Sequence, residues 1–149
     1  VYTELLVFAC NWDGWSCIET ATNLGLSYPA SVKVVRVSCI SRINIGLILK
    51  AFEFGAAGVM LLGCAPGKCH FGVDSECITR EYEKARRILK MLGIWEGRLV
   101  LVQIPAFDGR EFVRQVTKLI TEITQIPSPK YARGISPRPA QYSKVNSYL

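Results

Sequence analysis

Apolar residues come in short, nearly continuous runs separated by longer stretches with helical spacing. The first run, TELLVFA over residues 3–9, holds Leu5, Leu6, Val7 and Phe8 in succession. Unbroken apolar runs of this length mark strands covered on both faces, as in a parallel sheet. Similar runs occupy residues 32–37 (VKVVRV), 58–62 (GVMLL) and 98–104 (RLVLVQI), the last stopped by Pro105. Between them the spacing predicts helices over 16–24, 45–54, 76–92 and 109–125. Ser16 is the expected N-cap of the first, and Gly25, Gly55 and Gly93 close the first three. Tyr82, Ala85, Ile88, Leu89 and Leu92 lie on one face of the third helix. Phe112, Val113, Val116, Leu119, Ile120 and Ile123 do so on the fourth.

Four β-α units in succession argue for an α/β fold of three layers. A four-stranded parallel sheet with right-handed crossovers lies in the middle. The flavodoxin-like order 2-1-3-4 is expected, with the topological switch beside the first strand. The domain is placed at residues 1–126. Residues 127–149 differ in kind: they contain four prolines, no acid, and Lys130, Arg133, Arg138 and Lys144. This composition suits an extended Pro-rich basic tail laid along a partner.

Composition sharpens this picture in two ways. The net charge of the chain is +6, and without those four cations the rest carries +2, so nucleic acid is not indicated as a partner. No run of about 18 apolar residues exists, so no membrane span is expected. The start of the chain has a strand pattern rather than that of a secretory leader, and a cytoplasmic protein is expected.

The candidate chemistry lies in the six cysteines. Cys10, Cys39 and Cys64 each stand where a predicted strand ends, and Cys69 follows Cys64 in CAPGKCH. In a parallel sheet the carboxyl ends of the strands share one edge, where ligands bind. Four thiols from three distant segments thus converge, as for a metal or iron–sulfur site. The Pro66–Gly67 pair is a turn that can aim Cys64 and Cys69 inward. Spacing alone does not separate zinc from iron. Two other readings stay open: a zinc-stabilised interaction module, and a thiol–disulfide redox protein using Cys64 with Cys69, or Cys17 with one of them. Cys17 and Cys77 fall in predicted helices and read as packing, with Cys17 as the reserve ligand. His70 is a candidate for tuning the site by hydrogen bonding, and Arg42 and Lys68 for offsetting its negative charge. Trp12 and Trp15, flanking Asp13, are candidates for shielding it. Asp13 reads as a loop cap before it reads as a ligand. CNWDGWS is not a phosphate-binding loop, and neither a Walker motif nor GxSxG occurs.

FACNW, YPASVKVVRVSCISRI and AFEFGAAGVMLLGCAPGKCHF together resemble the delta subunit of methyl-viologen-reducing hydrogenase. The resemblance covers about residues 3–126, and the GCxPGxCH segment is its most specific part. It implies a domain carrying one [2Fe–2S] cluster, with Cys10, Cys39, Cys64 and Cys69 at the positions of the family's cysteines. Other members often carry further cysteines where this chain has Ala9 and Asp13. It also implies an electron-transfer subunit that is not an enzyme on its own, within an anaerobic, electron-bifurcating redox complex. The implied partners are a flavin- and iron–sulfur-containing protein like the flavin-bearing subunit of heterodisulfide reductase, and a hydrogenase, formate dehydrogenase or other electron donor or acceptor.

Overall fold

A computed structural model describes residues 4–127. The domain expected at 1–126 falls almost wholly within that span, whereas the basic tail lies outside the described residues from position 128 onward. Four strands form one sheet: β1 (Leu5–Cys10), β2 (Val32–Val37), β3 (Gly58–Cys64) and β4 (Leu99–Ile104). All pairs are parallel and the order is β2-β1-β3-β4, the flavodoxin-like arrangement. The helices are α1 (Asp13–Asn23), α2 (Ile45–Glu53), α3 (Ser75–Met91) and α4 (Gly109–Thr124). Two short 3-10 turns, Ile40–Arg42 and Glu96–Arg98, give no periodic signal in the sequence.

The sheet divides two cores. On one face α1 and α4 bury Ile18, Ala21, Phe112, Val116 and Leu119 against Leu5, Val7 and Met60. On the other, α2 and α3 bury Ile48, Phe52, Ala85 and Leu89 against Phe8, Val59 and Leu61. All seven residues of β3 are buried, as the unbroken apolar run requires. The ends of α1, α2 and α3 share one device. Gly25, Gly55 and Gly93 have positive φ, and the next residue's N–H (Leu26, Ala56, Ile94) reaches back to the carbonyl of Ala21, Ala51 or Leu89. This is the Schellman closure, which needs the left-handed backbone that glycine takes freely. Among the described residues no helix is long and apolar enough to cross a membrane.

The structure corrects several boundaries. α1 starts at Asp13, not at residue 16, and Ser16 is not its N-cap. The Ser16 hydroxyl instead donates to the Asp13 carbonyl at 2.8 Å. The early start is sustained by sulfur, because the Gly14 N–H, unpaired inside the first turn, donates to Cys10 Sγ at 3.2 Å. β1 and β3 run through Cys10 and Cys64, so both cysteines end a strand rather than begin a loop.

Arg98, expected as the first residue of β4, belongs to the preceding 3-10 turn and is buried. Its guanidinium donates to the Ala57 carbonyl at 2.7 Å and the Pro127 carbonyl at 3.2 Å. It sits at the amino edge of the sheet, opposite the cysteines.

Candidate metal centre

At the carboxyl edge of the sheet, Cys10, Cys39, Cys64 and Cys69 line one small cavity, walled by Ile40 and Ile78. They do so as two pairs. Cys10 Sγ and Cys64 Sγ are 3.7 Å apart, and Cys39 Sγ and Cys69 Sγ are also 3.7 Å apart. The first pair stands on the ends of two neighbouring strands: the β1–β3 ladder stops at Ala9 opposite Leu62, and Cys10 and Cys64 are the residues that end each strand beyond it. The second is built by loops. Cys39 precedes the Ile40–Arg42 turn, and Cys69 follows a turn closed by Lys68 N–H on the Ala65 carbonyl at 2.9 Å. Pro66 and Gly67 are its central residues, and Gly67 has φ +73, the type II pattern.

All six cysteines are free thiols. A sulfur separation of 3.7 Å is far beyond the ~2.05 Å of a disulfide bond. Two sulfurs on one tetrahedral metal with bonds of ~2.3 Å stand roughly 3.8 Å apart, so each pair has the spacing of two ligands to one ion. Among the described residues no three His, Cys, Asp or Glu side chains gather around a single point. The donor set is therefore two-plus-two. Each pair suits one metal of a dinuclear thiolate cluster.

Main-chain donors surround the sulfurs. The amino end of α1 faces the first pair: Gly14 N–H points to Cys10 and the Asp13 backbone to Cys64. The His70 backbone also bonds Cys64. Burial nevertheless pushes the Cys64 thiol up to about 11. The neighbouring Cys10 adds to that rise and the backbone bonds oppose it. At Cys69 burial also raises the value, but backbone donors at Phe71, Val73 and Gly72, with the Cys39 side chain, outweigh it and leave the thiol below its ordinary range.

The remaining candidates separate clearly. Cys17 is buried in α1, and its thiol donates to the Pro105 carbonyl at 3.1 Å, away from both pairs. Burial raises its pKa. Cys77, near the start of α3, lines a separate crevice with Ser41 and Tyr82. The His70 ring stacks on Trp12 with centroids 3.4 Å apart, and Phe71 meets both edge-on, forming an aromatic cover beside Cys69. Trp15 takes no part in that cover: its ring carries the Arg36 guanidinium, and its Nε1 donates to Glu19. Arg42, at the end of the Ile40–Arg42 turn, and Lys68, in the loop after β3, are exposed. Sequence reasoning missed Ser41, whose hydroxyl donates to Cys39 Sγ at 3.0 Å. A serine two residues after a candidate ligand is the one signal that could have found it.

A flavodoxin-like domain with two facing cysteine pairs over its strand ends is a thiol-centred α/β module. Comparison with known proteins narrows that class. The family model for "Methyl-viologen-reducing hydrogenase, delta subunit" matches residues 5–127, and the chain belongs to this family. It is 33% identical over 130 residues to an F420-non-reducing hydrogenase iron-sulfur subunit of Archaeoglobus profundus, covering 87% of this chain and 95% of that protein. It is 36% identical over 109 residues to the F420-non-reducing hydrogenase vhc iron-sulfur subunit of Methanococcus voltae, covering 73% of this chain and 76% of the relative. A component of the ferredoxin:CoB-CoM heterodisulfide reductase of Methanosarcina mazei is 29% identical over 122 residues. That match takes in 82% of this chain but spans only 15% of the much longer reductase polypeptide.

Proposed function

We propose that this protein is an electron-transfer subunit holding one [2Fe–2S] cluster, with Cys10 and Cys64 on one iron and Cys39 and Cys69 on the other. The observation that carries this reading is the pair of 3.7 Å sulfur separations. Two equal pairs suit two metal ions, whereas a zinc-stabilised module needs all four sulfurs around one. The relatives named as iron-sulfur subunits supply the choice of iron over other soft metals. When bound, the cluster supplies one-electron oxidation and reduction. The chain's own residues hold it at the sheet edge, donate main-chain hydrogen bonds to its thiolates, and keep bulk water from the inner pair. The protein breaks no substrate bond itself. It works in the cytoplasm, in an electron-bifurcating complex, beside a flavin-containing partner of the heterodisulfide reductase type and a hydrogenase or other electron donor. The relatives' names support the hydrogenase and heterodisulfide reductase part of that setting.

Anaerobically purified full-length protein is expected to contain about two iron and about two acid-labile sulfide per chain, and to give an EPR signal after dithionite reduction. A colourless protein carrying zinc alone would overturn the reading. So would a metal-free protein with a reversible dithiol titration.

A further inference from the structure

The four sulfurs differ in what donates to them. Cys10, Cys64 and Cys69 receive main-chain N–H groups, which side-chain substitutions leave in place. Cys39 receives a side chain. Its backbone is extended (φ −157, ψ 141), and the following 3-10 turn closes with Arg42 N–H on the Cys39 carbonyl at 3.1 Å. That turn folds Ser41 back over its neighbour, so that Ser41 Oγ donates to Cys39 Sγ at 3.0 Å. Serine hydroxyls in turns commonly bond nearby backbone groups instead. Here the hydroxyl is half-buried and spent on sulfur.

We infer that Ser41 is a positioning residue that sets the reduction potential of the centre, its hydroxyl donating to the Cys39 thiolate and favouring the reduced state. This rests on the cluster assignment above. Reduction adds one electron, supplied by a chemical titrant or a reduced partner, and raises the negative charge shared by the thiolates. A hydrogen bond to a charged acceptor is roughly twice as strong as one between neutral groups. The Ser41 bond therefore strengthens on reduction, and that difference appears in the potential. Ser41 ligates nothing and transfers no electron.

The test is an EPR-monitored redox titration of the full chain as wild type, Ser41→Ala and Ser41→Thr. Ser41→Ala is expected to lower the one-electron reduction constant about tenfold, which is about 59 mV for a one-electron couple. Its iron content should match the wild type. Ser41→Thr, which keeps the hydroxyl, should stay close to the wild type. A deuterium-exchangeable proton coupling in ENDOR spectra should be present in the wild type and Ser41→Thr and lost in Ser41→Ala. An unchanged midpoint in cluster-loaded Ser41→Ala, or an equal drop in both variants, would overturn the inference. If Ser41→Ala binds no iron, the threonine variant decides: a wild-type midpoint with the exchangeable coupling supports the role, and a lowered midpoint or absent coupling overturns it. A wild type silent in EPR is a different failure. It sinks the cluster assignment and this role with it.

Discussion

The two cysteine pairs have the same 3.7 Å spacing and little else in common. Cys10 and Cys64 end the two central strands and sit under the amino end of α1. Cys39 and Cys69 stand on loops, and their donors are loop N–H groups and a serine. The inner pair is anchored on the ends of two strands whose bodies lie in the core. The outer pair can be adjusted loop by loop. One half of the site is thus tied to folding, and the other is open to tuning.

The largest expected effect is loss of iron. Serine at any of Cys10, Cys39, Cys64 or Cys69 should reduce bound iron from about two per chain to near zero, because thiolate binding is coupled to assembly of the site. A second contrast, between the three buried cysteines and Cys69, appears in the metal-free protein. There, Cys10→Ser and Cys64→Ser should cost about 1–3 kcal/mol, from burying a hydroxyl. Cys39→Ser should cost as much, since Cys39 is equally buried, whereas Cys69→Ser, at a half-buried loop position, should stay within about 0.5 kcal/mol. Urea unfolding of the four apoproteins measures this, and equal costs would erase the distinction. Next in size is Gly14→Ala. A Cβ there would lie 2.6 Å from the Leu62 carbonyl oxygen and 3.2 Å from Cys10 Sγ. The resulting shift of α1 should destabilise the fold by about 1–3 kcal/mol and loosen iron at the inner pair. An unchanged unfolding midpoint would mean that α1 need not approach so closely. The smallest effect on the metal site belongs to Cys17→Ala. Losing its thiol and the bond to Pro105 should cost about 1 kcal/mol and leave iron content unchanged. A fall in iron would make Cys17 a ligand and break the two-pair scheme.

The strands and their order were legible because a sheet buried on both faces leaves continuous apolar runs, and because β-α alternation permits few topologies. Helix ends at Gly25, Gly55 and Gly93 were equally plain. The start of α1 was not, since it depends on the Cys10 sulfur accepting the Gly14 N–H rather than on a capping side chain. Cys10 and Cys64 could be picked out as strand ends; Cys39, expected as a third, lies two residues past the end of β2 at Val37, and Cys69 came forward through its turn and the family resemblance. The pairing was hidden. β2 and β3 both flank β1, so adjacency allows Cys10 to face either Cys39 or Cys64, and only the loop paths send Cys39 to Cys69. Ser41 and Arg98 escaped because each acts from a 3-10 turn, where no period betrays a buried role.

Arg98 has one more consequence. The Ala57 carbonyl that it holds belongs to the residue whose N–H donates to the Glu4 carbonyl at 2.8 Å, while its other arm holds Pro127. The first and last stretches of the described domain therefore meet at one spot, at the pole away from the sulfurs. A polypeptide can enter and leave there without crossing the cysteine face. This makes the domain a cassette: it can be spliced into a longer protein at one seam with its working surface left clear.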